Sequence, residues 1–325
     1  MQLSRRRLIG FAAAGIICSV LAGPSCGADA QARKLLEYRE SVYNNIYVYQ
    51  QGTNIILTFG QNRKLYYESL YNTLDPTDLP ARYTQMMTAA LAYPEKPLAI
   101  LEIGLGGGRT ASYLHHYLPE AQITSVELDP VVFELAKKYF NVKAGGTFKV
   151  VAKDGRLFLA DSKAKYDIIL IDAYRAPFVP FHLLTREFYE IVRDHLTDGG
   201  VVAQNVEPST MLFDAAVKTI HAVFPQTEFY VADGNVVTAA YLGKLRTGEA
   251  LARRAAELQA KYHLRYRLSD LLAKRRLLPP DMGPIDPSAK VLTDDFAPVD
   301  ALKAIERHNR KWPGTADATA ADPGP

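Results

Sequence analysis

The chain predicts an α/β fold built on a doubly wound, mostly parallel sheet, with a small antiparallel β region before it. From Pro97 to about residue 245, β-rich runs alternate with helical segments. Strands that alternate with helices form parallel sheets joined by right-handed crossovers. The first run, residues 98–103, is largely apolar, as expected of a strand that is buried on both faces.

The residues before this pattern predict a separate small sheet. Residues 46–49 and 54–59 are rich in β-branched and aromatic residues and are separated by Gln-Gly, and residues 64–67 are a predicted third strand. A helix is predicted over residues 79–92, after Pro76. We therefore assign residues 33–93 to a small β-rich region that ends in a helix.

Residues 94–245 are predicted to form a nucleotide-binding α/β domain with seven strands. The strands are predicted at residues 98–103, 122–127, 148–152, 166–171, 200–204, 229–231 and 236–242. The helices between them are predicted at residues 109–117, 130–140, 157–160, 185–196 and 211–223. A further helix at 249–262 belongs to a C-terminal extension of helices and loops, residues 246–312. Residues 313–325 are predicted to be a disordered tail because Ala, Pro, Asp and Gly dominate them.

The first 32 residues are predicted to be an export signal. Arginines at positions 5–7 precede an apolar run over residues 8–22, and Ala-Gln-Ala at 30–32 resembles a cleavage site. The order Ser-Arg-Arg followed by apolar residues resembles a twin-arginine signal. We expect a protein that is exported and periplasmic, or one that this segment anchors in a membrane if it stays uncleaved. A mis-called start codon or a cytoplasmic tail is the alternative.

Composition excludes several functions for the body of the chain. Both cysteines, Cys18 and Cys26, lie in the leader, so the body has no disulfide, thiolate metal site or cysteine nucleophile. The formal net charge of +3 comes mostly from the leader, which argues against nucleic acid as a partner. The histidines do not form a metal-binding set, and we predict no metal.

The main motif is the glycine loop Glu102-Ile-Gly104-Leu-Gly106-Gly-Gly108, where the first parallel strand meets its helix. A Walker loop needs Gly-Lys-Ser/Thr, and a dinucleotide fingerprint needs glycine in place of Arg109. The pattern E-x-G-x-G-x-G of S-adenosyl cosubstrate loops is complete. Glycines allow a tight turn and close approach of a ligand to a helix N-terminus. A glycine-rich turn without a ligand is the alternative.

Acidic residues follow the next two strands. Glu127 ends the second strand, where a carboxylate can accept both ribose hydroxyls, and Asp154 with Gly155 ends the third, where a carboxylate can accept from an adenine amino group. Because these positions share the carboxyl edge of a parallel sheet, a ligand crevice is predicted there. A solvated loop acid is the alternative for each of them.

Asp172 is the catalytic candidate, because it ends the fourth strand and faces the same crevice. A carboxylate there could deprotonate an attacking amine or hold its ammonium form. Tyr174 could form an aromatic wall for a methylene chain or a cation. A capping aspartate and an ordinary loop tyrosine are the alternatives.

Several short motifs, in their order and spacing, resemble the polyamine aminopropyltransferase (spermidine/spermine synthase) family. They are the glycine loop, Arg-Tyr-Thr-Gln-Met at 82–86, Val-Glu-Leu-Asp at 126–129, Asp-Gly-Arg-Leu-Phe at 154–158, Tyr-Asp-Ile-Ile-Leu-Ile-Asp at 166–172 and Leu-Leu-Thr-Arg-Glu-Phe-Tyr at 183–189. Thr-Asp-Asp-Phe-Ala-Pro-Val at 293–299 resembles a divergent branch fused to membrane transporters.

The resemblance implies a methyltransferase-like Rossmann fold and a transferase of polyamine biosynthesis. Such enzymes move an aminopropyl group from decarboxylated S-adenosylmethionine to a small amine, and they commonly form homodimers. The resemblance implies that Glu127 holds ribose, that Asp154 serves adenine and that Asp172 is the base. Tyr83 and Arg175 are the predicted residues that bind the acceptor.

Two departures from the family pattern leave other functions open. The family's loop aspartate, which binds the donor's ammonium, corresponds to Gly107, and a second family acid corresponds to Arg175. The alternatives are a methyltransferase that uses S-adenosylmethionine on another acceptor and a non-catalytic relative that binds a nucleoside.

Overall fold

Two β-sheets organise the part of the chain that the computed structural model describes. These residues are 32–60, 67–174, 179–208, 210, 212–232, 234–278, 285, 286 and 288–295. The N-terminal sheet has four antiparallel strands in the order β1-β2-β3-β4. They are β1 Lys34–Glu40, β2 Asn45–Gln51, β3 Asn54–Phe59 and β4 Ser69–Asn72.

Strand β1 was not predicted from the sequence. Its segment Lys-Leu-Leu-Glu-Tyr-Arg-Glu lacks a buried residue, so the apolar alternation that marks a half-buried strand is absent. The predicted strand 64–67 lies mostly outside the described residues, and β4 begins at Ser69. The predicted helix 79–92 is shorter than expected. It consists of α1 Arg82–Met87 and a 3₁₀ turn Thr88–Ala92.

The central sheet has eight strands in the order β12-β10-β11-β9-β8-β5-β6-β7. They are β5 Ala99–Ile103, β6 Gln122–Glu127, β7 Phe148–Ala152, β8 Tyr166–Ile171, β9 Leu196–Val206, β10 Gln226–Ala232, β11 Asn235–Tyr241 and β12 Arg275–Leu277. Strands β5 to β9 pair in parallel, and β10, β11 and β12 are antiparallel. The seven predicted strands are present, and the short edge strand β12 is an addition.

Helices cover both faces of this sheet, as in the predicted doubly wound fold. They are α2 Arg109–Tyr117, α3 Pro130–Tyr139, α4 Gly155–Ala160, α5 Arg186–Asp194, α6 Phe213–Val223, α7 Gly248–Tyr262 and α8 Leu268–Leu272. Among the described residues, no helix has the length and apolar character needed to cross a membrane.

Register places the site at one edge of the sheet. Ile103 at the end of β5 pairs with Val126 of β6 on one side and with Ile171 of β8 on the other. Glu127 in turn pairs with Ala152 of β7. The loops after these four strands therefore converge at the carboxyl edge, where open α/β sheets bind ligands.

A buried ion pair links the two outermost strands on one side of the sheet, β12 and β10. Glu228 of β10 is fully buried, and both its oxygens accept from the guanidinium of Arg275 at 2.5 and 2.6 Å. Tyr241 also donates to Glu228 at 2.5 Å, and Tyr93 donates to the same carboxylate. This carboxylate joins the last strand to the sheet.

We expect Glu228→Gln to destabilise the fold by about 2–4 kcal/mol, because removing one charge of a buried pair leaves the other uncompensated. Urea unfolding of the body would measure this loss. Lys153→Gln, which breaks an exposed pair with Asp161, should cost less than about 1 kcal/mol. Equal losses in the two variants would contradict a special role for the buried pair.

Candidate functional site

A pocket of about 550 Å³ opens at the carboxyl edge of strands β5, β6, β7 and β8. The glycine loop forms its floor, and residues next to β4 of the N-terminal sheet form one wall. Eight predicted site residues line it: Tyr83, Gly104, Gly106, Glu127, Asp154, Gly155, Asp172 and Tyr174. Glu102 and Gly108 lie outside the lining, and Arg175 lies outside the described residues.

Close packing explains why the loop needs glycine. Gly104 has φ +91°, and a Cβ there would lie 2.4 Å from the carbonyl oxygen of Asp172. Gly106 also has a positive φ of +51°. Gly108 caps helix α2 with φ +63°, and a Cβ there would lie 2.6 Å from Val142. Gly104 and Gly106 expose backbone to the pocket, whereas Gly108 serves the turn into the helix.

Glu102 lies behind the loop rather than in the pocket, which corrects the predicted contact with a cosubstrate. Its side chain is buried, accepts from the Ser125 hydroxyl at 2.5 Å and bonds to the backbone of Ala111 in α2. Burial raises the pKa of Glu102 to about 8, although the Ser125 hydrogen bond opposes this shift. Glu102 therefore joins β5, β6 and α2 beneath the loop.

Glu127 connects the glycine loop to β6. One carboxylate oxygen accepts from the amides of Leu105 and Gly106 at 2.9 and 3.2 Å, and the other accepts from Asp129 at 3.0 Å. Burial raises the pKa of Glu127, while these amides oppose the rise. Each carboxylate oxygen has two acceptor sites, so the oxygen that accepts from Asp129 keeps one site for a hydroxyl group of a ligand in the pocket.

Asp154 caps helix α4 and also faces the pocket. Its Oδ1 accepts from the amide of Leu157 at 2.9 Å, and its Oδ2 lies 2.8 Å from Nε2 of His182. Gly155 follows, and a Cβ there would lie 2.3 Å from Ile103. The contact with His182 was not predicted, because His182 belongs to a different loop.

Asp172 follows β8, and two strands, β5 and β6, separate β8 from the strand β7 that precedes Asp154. Its Oδ1 accepts from the side-chain amide of Asn205 at 3.0 Å, and the hydroxyl of Tyr83 also bonds to its carboxylate. Burial raises the pKa of Asp172 to about 6, and these two hydrogen bonds oppose the rise. The group is thus a carboxylate at neutral pH that can still accept a proton.

Asn205 and Asn235, which sequence reasoning missed, orient Asp172. Asn205 is buried near the end of β9, and its Oδ1 accepts from Asn235 at 3.1 Å. Its amide nitrogen is therefore directed at Asp172. Tyr174 donates to the Asn205 carbonyl at 3.0 Å. The sequence signal for Asn205 was a polar residue just after the predicted fifth strand.

Two further carboxylates in the pocket were also missed. Glu68 lies next to β4, and Glu207 follows β9; both line the pocket near Asp172. Burial, together with the charges of Asp172 and Glu207, raises the pKa of Glu68 to about 8. No sequence pattern indicates that an acid of the N-terminal sheet faces an acid after β8.

Ser69 explains why position 107 has no acid. Its hydroxyl accepts from the amide of Gly107 at 2.8 Å. A Cβ at Gly107 would lie 2.8 Å from Cβ of Ser69 and 2.7 Å from the ring of Phe140. These contacts occupy the space that an aspartate side chain would need. Within the described residues, no group of three His, Cys, Asp or Glu side chains could hold a metal ion.

Comparison with known proteins identifies relatives for most of the chain. Residues 81–246 match the Spermine/spermidine synthase domain family. A polyamine aminopropyltransferase of Vibrio vulnificus (strain CMCP6) is 30% identical over 298 residues, which cover 89% of this chain and 96% of that protein.

Solved structures share the fold. A spermidine synthase in complex with the transition state analogue AdoDATO has a TM-score of 0.61 at 20% identity and covers 77% of this chain and 85% of its own. Human methyltransferase-like protein 13 in complex with SAH has a TM-score of 0.50 at 27% identity and covers 56% of this chain and 91% of its own. The predicted methyltransferase-like fold is confirmed.

Replacing Glu102 with Gln should change how stability depends on pH. The folded pKa of Glu102, about 8, lies above its ordinary value of 4.5. The contribution of Glu102 to the free energy of unfolding is therefore fully present below about pH 4.5 and is lost as the pH rises through about 8. Gln does not ionise. The free energy of unfolding of Glu102→Gln should therefore rise by a few kcal/mol relative to that of the native chain between about pH 5 and 9.

Chemical denaturation of both proteins at several pH values would measure this difference. The exposed residue Glu249 supplies the control, because Glu249→Gln should show a difference from the native chain that stays constant with pH. A constant difference for Glu102→Gln as well would show that Glu102 is ionised in the folded protein.

Proposed function

Because the chain belongs to the spermine/spermidine synthase family and is a transferase of the polyamine aminopropyltransferase type, we propose that it moves an aminopropyl group from decarboxylated S-adenosylmethionine to a small amine. Asp172 is the proposed base. Glu127 would hold the ribose hydroxyls and Asp154 the adenine amino group of the cosubstrate, because both carboxylates line the pocket on the side of the glycine loop.

The environment of Asp172 is the observation that carries this proposal. Asn205 and Tyr83 bond to its carboxylate. A group with a pKa of about 6 is mostly ionised at neutral pH, and it can take a proton from an ammonium group that becomes more acidic during reaction.

The step conserves atoms and charge. The amine nitrogen of the acceptor attacks the aminopropyl carbon bonded to sulfur, the C–N bond forms, and the C–S bond breaks. The electron pair of the broken bond stays on sulfur, so methylthioadenosine leaves as a neutral molecule. Asp172 accepts the proton that the nitrogen loses. Tyr83 and Asn205 hold the carboxylate in place, so that catalysis depends mainly on positioning and proton transfer.

The charges in the pocket favour a cationic acceptor. The two departures at Gly107 and Arg175 suggested that anions had been lost, but Glu68 and Glu207 bring two more carboxyl groups to the pocket that Asp172 lines. Carboxylates that share a poorly solvated pocket repel one another, and bound ammonium groups relieve that repulsion. This charge distribution supports an amine as acceptor over an acid.

A methyltransferase is the second candidate function. The relationship to human methyltransferase-like protein 13, which was solved in complex with SAH, favours it. On this alternative, intact S-adenosylmethionine would be the donor and S-adenosylhomocysteine the product. We also propose, from the sequence of residues 1–32 alone, that the protein is exported or anchored at its N-terminus.

We expect Asp172→Asn to lower the release of methylthioadenosine by about 10²–10⁴-fold, the usual contribution of a general base. The assay would use the body, residues 33–325, with decarboxylated S-adenosylmethionine and with putrescine, cadaverine and spermidine in turn. Binding of methylthioadenosine should be unchanged, because the proposed role of Asp172 is proton transfer at the amine and not contact with the nucleoside. Asp161→Asn, an exposed acid, is the control.

The pH profile gives a second measure of the same role. In the native chain kcat/KM should fall as the pH drops through about 6, because protonated Asp172 cannot accept a proton. Release of methylthioadenosine by Asp172→Asn at the rate of the native chain would refute the assignment of Asp172 as the base. Transfer of a methyl group from intact S-adenosylmethionine, without release of methylthioadenosine, would favour the second candidate.

A further inference from the structure

Glu68 is the carboxylate of the pocket whose surroundings most clearly lack a cation. Its carboxyl lines the pocket near Asp172 and Glu207, and both charges raise its pKa. Within the described part of the chain, no side chain or amide donates a hydrogen bond to this carboxyl. With a pKa of about 8, Glu68 keeps its proton near neutral pH while the pocket is empty. A cation that binds beside it would favour loss of that proton and pair with the carboxylate.

The backbone around Glu68 holds its side chain at the wall beside the glycine loop. The amide of Glu68 donates to the carbonyl of Leu57 at 2.8 Å, within the N-terminal sheet. The next residue, Ser69, accepts from the amide of Gly107 at 2.8 Å. Glu68 is thus tied through its neighbour to the loop that faces the cosubstrate, and the charge of Asp172 raises its pKa.

Glu68 thus lies next to a residue that contacts the glycine loop, and within electrostatic reach of Asp172. On the proposed function the nucleoside contacts Glu127 and Asp154 and the reacting end contacts Asp172, and all three residues line the pocket. The tail of an S-adenosyl donor must extend from the nucleoside contacts to Asp172. A charged group on that tail therefore comes near Glu68, and the sign of its charge decides whether it is attracted or repelled.

We propose that Glu68 selects the donor: it releases its proton and pairs with the primary ammonium group of a decarboxylated S-adenosyl tail, a pairing that the carboxylate of intact S-adenosylmethionine opposes. This inference rests on the proposed function. Glu68 takes this role from the N-terminal sheet because Ser69 and Phe140 leave no space for an acid at Gly107.

The two donors differ in charge at this point. The decarboxylated tail ends in an ammonium group alone, whereas the intact tail has an ammonium and a carboxylate on the same carbon. With Glu68, Asp172 and Glu207 around it, a fourth carboxylate would meet like charges in a poorly solvated site. Such unpaired like charges are a general means of rejecting a competing ligand.

The test measures binding of each donor by calorimetry, without an acceptor, so that turnover is not needed. We expect the native body to bind the decarboxylated donor at least about tenfold more tightly than the intact one, and Glu68→Gln to remove most of this preference. Methylthioadenosine, which has no charged tail, should bind the native chain and the variant within about twofold of each other.

Two further variants sharpen the result. Glu68→Asp keeps the charge and should retain part of the preference. Glu249→Gln removes an exposed acid that does not line the pocket and should retain all of it. Partial retention by Glu68→Asp together with loss in Glu68→Gln would assign the selection to the carboxylate rather than to the shape of the side chain.

The remaining outcomes overturn the proposal in distinguishable ways. An unchanged preference in Glu68→Gln, with methylthioadenosine still bound, would show that selection lies elsewhere. Equal weakening of methylthioadenosine and both donors would show that Glu68 only shapes the pocket. A native chain that binds intact S-adenosylmethionine more tightly would refute the proposed function itself, and this inference with it.

Discussion

The contact between the glycine loop and the backbone of Asp172 is the constraint on which the pocket depends. Gly104 approaches the Asp172 carbonyl so closely that no other side chain fits. The amide of Asp172 donates to the carbonyl of Ile103 at 2.9 Å, and the amide of Gly104 donates to Val126 at 2.8 Å. These bonds join the ends of β5, β6 and β8, so the floor of the pocket and its proposed base move together.

The N-terminal sheet completes the pocket and is therefore more than a covering. Ser69 binds the amide of Gly107, and Ser41 donates to Asp129 at 2.5 Å just after β6. Through these contacts the sheet brings Glu68 to the wall of the cavity. Burial raises the pKa values of both Glu68 and Asp172, and for Glu68 the charges of Asp172 and Glu207 contribute as well. Such a pocket is stabilised by cationic ligands.

The parts of the site that could be predicted are those that strand periodicity places. Glu127, Asp154 and Asp172 each follow an apolar run, and parallel strands carry such residues to one edge. The structure brings all three to the same pocket. Glu102 belonged to the same motif, yet its side chain is buried behind the loop. A linear pattern gives the position of a residue on a strand, but it does not decide which face the side chain takes when both faces are buried.

The sequence by itself determined the order of strands and helices, the glycine loop and the acids at the strand ends, because these depend on local pattern. Only the tertiary structure decided that Glu68, Asn205 and Asn235 join Asp172, because their contacts link segments far apart in the chain. It also decided that Gly107 has no acid, since Ser69 occupies the space beside it. Packing between the two sheets decides the surroundings of Asp172 and of Gly107. Such contacts join segments that are distant in the sequence, so they leave no periodic pattern from which they could be predicted.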